Sequence, residues 1–435
     1  MNFSNTLKSH LMALIDEMDS HHYDFTRNPK TDFSRTKKWS FRSTFLFILS
    51  MEGNSLKNEL LKFFDFNPEL PSTSSFVQRR SQILPSAFET LFHSFTAYDS
   101  REENTYGYQL MAVDGSSFVL PRNCTHNATI RKSRKGNCYK ELHLNCLYDL
   151  NKRIYIDAIT QASQEKNEHA AIQCMVDRYK SSPNTIFIMD RGYECYNTIA
   201  HIEQMGMYYM IRGKDISGKG IAASLRSQLP ESETFDVMTS FFLSKKNTKN
   251  VKKHPELYKR IRTDQNFDFF EEDSVYYPMN IRIVRFPISE TSYETILTNL
   301  PDNVTPDKLK ELYHRRWVIE TSFRELKYSI GLSAFHSKNY DFILQEIWAR
   351  LLLYNFCEMI TTRIIIQEKR SRYAYQLNYT YAIFVCRKLL TIKKEKFSYD
   401  VEKLIKRELL PIRADRVYPR KMSTHTAISF IYKIY

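Results

Sequence analysis

Residues 185–212 read TIFIMDRGYECYNTIAHIEQMGMYYMIR. The stretch opens with a five-residue apolar run, Thr185–Met189, and closes with a second strand-like run, Tyr208–Arg212. Between the two runs, residues 196–205 have the pattern of a helix. A strand, a helix and a strand in this order predict an α/β domain.

The sequence before this stretch predicts three further strands and a helix. Gln109–Leu120 is rich in β-forming residues, and residues 141–150 and 153–162 have the pattern of the next two strands, joined by a turn at 149–151. Residues 166–179 are predicted to form a helix. Three successive strands followed by alternating helix and strand predict a mixed sheet within an α/β fold.

Residues 216–289 interrupt this alternation. They are charged at first and then strand-like, with FDVMTSFFL (235–243) and NIRIVRFPI (280–288) as the clearest strands. We interpret the segment as a β-rich insertion, after which the main domain resumes with a strand at 294–300.

The entry to this insertion nearly matches a phosphate-binding loop. Residues 213–218 begin and end with glycine and are followed by Lys219, but the next residue is Gly220, which has no hydroxyl to bind Mg²⁺. We therefore interpret the segment as a flexible entry to the insertion and expect no nucleotide cofactor.

Both ends of the chain are predicted to be helical. Near the N-terminus, Ser72 and Thr73 are suited to cap a helix that Pro85 ends, and a second helix follows. Residues 78–80 (Gln-Arg-Arg) lie on the first helix, so the pair is either a DNA-binding helix-turn-helix or an ordinary helical hairpin. The predicted regions are a helical N-terminal DNA-binding region (1–105), the two parts of the core (106–215 and 290–335), the β-rich insertion (216–289) and a helical, basic C-terminal region (336–435).

The charge of the chain favours a polyanionic partner. The net charge is +14 and the pI is about 9.2. Residues 369–421 hold 15 Lys or Arg against 5 Asp or Glu. Charge of one sign concentrated in one region is more typical of a nucleic-acid-binding surface than of an ordinary basic protein.

Three features of the sequence predict a cytoplasmic protein with no membrane partner. The seven cysteines form no Cys-x2-Cys pair, so a zinc site is not indicated, and they are predicted to be buried and reduced. The N-terminal residues MNFSNTLKSHLMALIDEMD lack a signal-peptide pattern. The apolar stretch at 342–366 is broken by charged residues, which favours a buried helix over a membrane span.

Two aspartates follow apolar strands. Asp114 ends the run in MAVDG, and Asp190 ends the run in IFIMDRG. A strand of this kind delivers its terminal polar side chain to the sheet edge, where α/β proteins place their sites. Each carboxylate is therefore a candidate metal ligand, although either one is equally suited to cap a helix.

A predicted long helix, residues 305–331, supplies a third acid. Along it, Tyr313, Arg316, Glu320 and Lys327 lie at offsets that bring them within roughly 60° of one another at about 100° per residue. The stripe carries a phenol, a guanidinium, a carboxylate and an ammonium group. The alternative is a surface ladder, since Arg316 and Glu320 also have the spacing of a helical salt bridge.

The spacing of these four residues resembles a known family signature. Tyr-x2-Arg-x3-Glu-x6-Lys is complete in YHRRWVIETSFRELK (313–327), which resembles the signature of the insertion sequence four family of bacterial DDE transposases. MAVDGS and IMDRGY resemble the regions of its two catalytic aspartates, TILTNL the strand before its glutamate helix, and PIRADRVYPRK its basic C-terminal stretch. The resemblance covers roughly residues 70–435.

The resemblance implies a fold, a reaction and a metal. The fold of this family is a ribonuclease-H-like core interrupted by a β-rich insertion. Asp114, Asp190 and Glu320 match its catalytic, metal-binding carboxylates. Two Mg²⁺ ions, for which Mn²⁺ can substitute, would stabilise the attacking and leaving oxygens during DNA cleavage and strand transfer. The expected partners are the terminal inverted repeats and target DNA, with a homodimer assembled on the ends.

The resemblance also implies DNA contacts. Tyr313, Arg316 and Lys327 would contact phosphates of the transposon end, and Trp317 would lie at the DNA end. The C-terminal tail adds cationic residues spaced to follow a backbone: Arg413, Arg416, Arg420 and Lys421. A catalytically silent DNA-binding protein and a ribonuclease-H-like nuclease without strand transfer are the alternatives. Because all three acids are present, we favour the transposase.

Overall fold

The computed structural model describes most of the chain. It covers residues 2–35, 38–125, 130–132, 138–162, 166–180, 182–262, 266–366, 373–392 and 400–412. The predicted tail contacts, Arg413, Arg416, Arg420 and Lys421, lie outside the described residues.

A mixed sheet organises the described part of the chain, and it has ten strands there. They are β1 (Gln109–Leu120), β2 (Ile130–Lys132), β3 (Cys138–Asp149), β4 (Ile154–Ala162), β5 (Thr185–Met189), β6 (Tyr208–Arg212), β7 (Phe235–Ser244), β8 (Tyr258–Arg260), β9 (Tyr276–Pro287) and β10 (Tyr293–Thr298).

The first five long strands form the centre of this sheet. β1 pairs antiparallel with β3, which pairs antiparallel with β4. On its other side β1 pairs parallel with β5, and β5 pairs parallel with β6. The resulting order, β4-β3-β1-β5-β6, is an antiparallel meander continued by parallel strands. The predicted mixed sheet of an α/β core is therefore confirmed.

The strands between residues 216 and 289 extend the same sheet. β10 pairs antiparallel with both β6 and β9, β9 pairs with β7, and β7 pairs with β8. Side chains of the extension share a core with central strands: Phe241 and Ile281 belong to the same buried cluster as Phe187 and Ile211. The extension therefore continues the central sheet through hydrogen bonds between neighbouring strands.

Helices cover both faces of the sheet. β1 shows why, because its successive side chains alternate between two cores. Leu110 and Ala112 join the core beneath the helices at residues 85–96, 317–324 and 340–361, whereas Met111 and Val113 join the core beneath the helices at residues 168–178 and 196–204. The helices are α1 (Phe3–Ser20), α2 (Phe41–Ser50), α3 (Leu56–Phe63), α4 (Thr73–Arg80), α5 (Pro85–Thr96), α6 (Glu168–Arg178), α7 (Tyr196–Gln204), α8 (Ile221–Ser224), α9 (Lys249–Lys253), α10 (Pro306–His314), α11 (Trp317–Arg324), α12 (Tyr340–Thr361), α13 (Tyr379–Thr391) and α14 (Val401–Arg407).

The N-terminal helix pair differs from the prediction in one respect. Ser72 caps α4 as expected, accepting a hydrogen bond from the Ser75 amide. Pro85, however, is the first residue of α5 and does not end α4. Arg80 is only 2% exposed and forms a 3.0 Å ion pair with Glu346. Because the Arg80 side chain is buried and paired with Glu346, the structure favours a helical hairpin over a DNA-binding helix-turn-helix at this position.

α12 accounts for the apolar stretch at 342–366, and nearly all of its side chains are buried. Its charged groups have internal partners, since Arg350 lies 3.7 Å from Glu346. In the part of the chain that the structure describes, no helix is long and apolar enough to cross a membrane.

Two local features were not predicted. A small two-stranded sheet, β11 (Tyr375–Leu377) with β12 (Leu409–Pro411), interrupts the helical C-terminal region. The prediction that the cysteines are buried is wrong for Cys138 and Cys174, which are exposed on the sheet and on α6.

Candidate active site

Asp114 and Asp190 lie at the same level of the sheet. Asp190 directly follows β5, as predicted, but Asp114 does not end its strand, because β1 continues to Leu120 through its pairing with β3. In the parallel pair of β1 and β5, Val113 is opposite Met189, so Asp114 and Asp190 each come one residue after a matched position. The Asp190 backbone is still extended, with φ −75° and ψ 166°. Both side chains therefore continue the face of the sheet that α11 covers.

The predicted long helix exists in three pieces. Thr305 caps its start by accepting a hydrogen bond from the Lys308 amide, and Gly331 ends it with φ +89°. The prediction of one continuous helix is wrong, because α10 and α11 are separated by a turn at residues 315–316 and residues 325–330 form a π-helical segment. α11 bears Glu320 and packs on β1.

Arg316 connects this helix to the strand. Its Nη2 lies 2.7 Å from Glu320 Oε1, and its Nη1 lies 3.8 Å from Asp114 Oδ2. The Arg316 side chain is 4% exposed, while both carboxylates are partly open to solvent. The pair of Arg316 and Glu320 is therefore held against β1 by a buried guanidinium and is not a solvent-exposed ladder.

The electrostatics of Asp114 link all three acids. Burial is the main cause that raises the pKa of Asp114 to about 6. The negative charges of Glu320 and Asp190 also act to raise it, while a hydrogen bond from the Gly115 amide and the positive charge of Arg316 act to lower it. Asp190 Oδ1 is buried and has no hydrogen-bond partner among the described atoms. The three carboxylates thus form one electrostatically coupled cluster with an excess of negative charge.

This cluster is chemically suited to a divalent cation. A cation would offset the repulsion that acts on Asp114 and would give Asp190 Oδ1 a partner, and carboxylate oxygens are the ligands that Mg²⁺ prefers. Among the described residues, no three His, Cys, Asp or Glu side chains are grouped closely enough to hold a metal ion as they stand. Arg316 makes the close contact to Glu320 in this arrangement.

The other predicted DNA contacts between residues 313 and 327 differ in accessibility. Tyr313 is buried, its hydroxyl has no described partner, and burial raises its pKa to about 12. Trp317 is 48% exposed, and the Arg316 guanidinium lies 5.4 Å from its ring centroid. Lys327 is half-buried and donates a 3.1 Å hydrogen bond to the Ser117 carbonyl. Trp317 is therefore the member most open to a partner.

A polar group behind β1 was missed by the sequence reasoning. His143 on β3 lies beneath Gly115, where an added Cβ would be 2.3 Å from His143 Nε2. The ring is held between Ser117 Oγ at 3.2 Å and Glu168 Oε1 at 2.9 Å. The glycine directly after Asp114 was the available signal, because a close approach of this kind requires a residue without a side chain.

Comparison with known proteins gives a family match and a structural neighbour. Residues 105–356 match the family described as the transposase DDE domain, and the matched segment contains Asp114, Asp190 and Glu320. No curated protein matches the chain. A cryo-EM structure of the piggyBac transposase synaptic complex with hairpin DNA is similar over 91% of this chain and 81% of that chain, with 9% identity and a TM-score of 0.45.

Domains of the matching family generally use divalent metal ions. The match covers more than half of this chain and spans both the central strands and the helix that bears Glu320. The chain therefore belongs to the DDE transposase domain family.

Proposed function

We propose that this protein is a transposase of the insertion sequence four family. It binds the ends of its element and catalyses metal-dependent DNA cleavage and strand transfer. One observation carries the proposal: Arg316 of the Tyr-Arg-Glu-Lys signature contacts both Glu320 and Asp114, and Asp190 lies at the same level of the sheet as Asp114. The signature and the two aspartates thus support a single site.

The proposed catalytic residues are Asp114, Asp190 and Glu320, which would hold two Mg²⁺ ions or Mn²⁺ in their place. These ions would stabilise the attacking and leaving oxygens of an in-line displacement at phosphorus. The protein itself would position the three carboxylates that hold these ions. β1 and β5 hold two carboxylates at one level, and α11 brings the third across to them. Arg316 limits the repulsion between Asp114 and Glu320.

The proposed DNA contacts surround this cluster. Trp317 offers an exposed ring next to Glu320 for the end of the duplex. Arg316 and Lys327 supply cations for phosphates, and Tyr313 supplies a hydroxyl. The tail residues Arg413, Arg416, Arg420 and Lys421 would add sequence-independent affinity. We further propose that the protein acts in the cytoplasm, as a homodimer assembled on the two ends.

The test is cleavage and strand transfer with DNA that carries the element's terminal inverted repeats. Wild-type protein should cut the end duplex in Mg²⁺ but not in EDTA, and should join the cut end to a supercoiled target. Asp190→Asn should lose most of both activities because it removes a metal ligand. Asp302→Asn, at a position that is 93% exposed, is the matched control and should behave like wild type.

Each other outcome separates the alternatives. End binding without cleavage by the wild-type protein would indicate a catalytically silent DNA-binding protein. Cleavage without joined products would indicate a nuclease. Full cleavage by Asp190→Asn would remove that residue from the proposed site.

A further inference from the structure

A cavity of about 480 Å³ lies on the side of the core where the β extension begins. Its walls come from the start of α7, from the loop after β6 and from the segment around β8. This volume is within the range of ligand-binding pockets. The cationic side chains that line it are Lys214, Lys219, Lys259, Arg260 and Arg262.

Among the described lining residues, Glu194 is the only acid. Its carboxylate already accepts hydrogen bonds from within the chain, from the backbone amides of Lys214, at 3.0 Å, and of Ile221. Gly220 permits this approach, because a Cβ at this position would lie 2.6 Å from Glu194 Oε1. The loop after β6 is therefore held by Glu194, which corrects the expectation of a flexible entry.

This arrangement decides which kind of anion suits the cavity. A nucleotide-binding loop wraps a phosphate in its own backbone amides. Here two of those amides, on Lys214 and Ile221, are directed at Glu194. Anion binding in the cavity would then depend on side-chain ammonium and guanidinium groups, which bind phosphodiesters along a nucleic-acid backbone without reading the bases.

The cavity and the proposed active site are close to each other along the chain. Glu194 follows Asp190 by four residues, across a single 3-10 turn at Arg191–Tyr193. Lys259 is half-buried in the wall, where it donates to the Pro255 carbonyl at 2.6 Å, and burial lowers its pKa. A buried ammonium group of this kind gains from a bound anion more than an exposed one does.

We propose that this cavity binds phosphodiester groups of a DNA strand, as a contact separate from the signature residues on α10 and α11. The proposal rests on the proposed function, because the strand would belong to the DNA held at the carboxylate cluster. Its residues are Lys214, Lys219, Lys259, Arg260 and Arg262.

The experiment compares two double variants of the full chain. Lys259→Gln/Arg260→Gln removes two cations from the cavity. Lys252→Gln/Lys253→Gln removes two exposed cations from α9 in the same extension, outside the cavity lining, and serves as the charge-matched control. Affinity for an end duplex with flanking DNA is measured by fluorescence anisotropy over a series of salt concentrations, and thermal melts confirm that both variants fold.

The cavity variant should flatten the plot of log affinity against log salt by roughly 1.8, at roughly 0.9 for each lost phosphate contact, whereas the control should leave the slope near the wild-type value. An unchanged slope in the cavity variant, or an equal change in both variants, would overturn the proposal. So would binding of a fluorescent nucleoside triphosphate that the cavity variant abolishes while DNA affinity stays intact.

Failure of this inference can be told from failure of the proposed function. If wild-type protein cuts the end duplex and the cavity variant has an unchanged salt slope, only the cavity proposal fails. If wild-type protein neither binds nor cuts end DNA, the proposed function fails first, and the cavity proposal fails with it.

Discussion

The guanidinium of Arg316 lies 3.8 Å from the carboxylate of Asp114, across the boundary between a helix and a strand. The two residues are 202 positions apart, so this contact depends on the whole core being correctly assembled. Because Arg316 also holds Glu320 at 2.7 Å, loss of the arginine would expose two carboxylates to each other. Changes around this contact should therefore separate chemistry from binding.

Glu320→Gln should stop cleavage but leave DNA binding intact. The amide keeps the size of the side chain but is a poor metal ligand, and the change also removes a negative charge near the bound phosphates. We expect single-turnover cleavage to fall to background while gel-shift affinity stays equal to or tighter than that of wild type. Glu290→Gln, at an exposed position, is the control. Wild-type cleavage by Glu320→Gln would remove this residue from the proposed site.

Lys327→Ala should weaken binding and cleavage together. The change removes a proposed phosphate contact and also the 3.1 Å hydrogen bond from Lys327 to the Ser117 carbonyl on β1. Loss of one phosphate contact should lower the salt slope of end binding by roughly 0.9. Lys310→Ala, an exposed lysine on α10, controls for the loss of charge. An unaltered slope together with normal cleavage would limit Lys327 to a structural role.

The raised pKa of Asp114 should appear in the pH dependence of stability. A carboxyl group with a pKa of about 6 in the folded chain binds its proton more tightly there than in the unfolded chain, whose value is 3.8. The unfolding free energy contributed by Asp114 should therefore be fully present below pH 3.8 and be lost as the pH rises through about 6. Shifts of this size correspond to on the order of 2–3 kcal/mol.

This pH effect can be measured by urea unfolding in EDTA from pH 4 to pH 7. The difference between wild type and Asp114→Asn should shrink or reverse in favour of the variant as the pH rises. Asp302→Asn should give a constant difference over the same range. A constant difference for Asp114→Asn as well would show that burial does not act on this carboxyl as described.

Gly115→Ala should destabilise the core next to the proposed site. The new methyl group would meet His143 Nε2 at 2.3 Å, and overpacking of this kind typically costs about 1–3 kcal/mol. The cost should largely vanish in a His143→Ala background, because the obstructing ring is gone. Urea unfolding of the single and double variants tests this, with Ser116→Ala as the neighbouring control. Equal costs in both backgrounds would show that the clash is relieved elsewhere.

Local sequence patterns predicted the centre of the fold well. β1, β5 and β6 begin and end at the predicted residues. β5 and β6 are mainly apolar runs bounded by turn or polar residues, and β1 is rich in β-forming residues. Thr305 and Gly331 marked the ends of the glutamate helix, since capping depends on side-chain chemistry near the cap. Asp114 and Asp190 could be named because each directly follows an apolar run.

Features that depend on distant partners could not be predicted in this way. Arg80 looked like a surface residue on a helix, but its partner Glu346 lies 266 positions away. The pairing of β9 with β10 could not be predicted, because the pattern that identifies a strand does not identify the strand that pairs with it. The turn at Arg316 has ordinary helical residues on both sides, so the break in the helix left no sequence signal.

The matched register of β1 and β5 limits how this chain can change during evolution. A one-residue insertion within either strand would turn Asp114 or Asp190 to the opposite face of the sheet, away from α11. Insertions in the connections between strands leave that alignment untouched. Descendants of this chain should therefore vary freely in loop length while the number of residues from each strand start to its aspartate stays fixed.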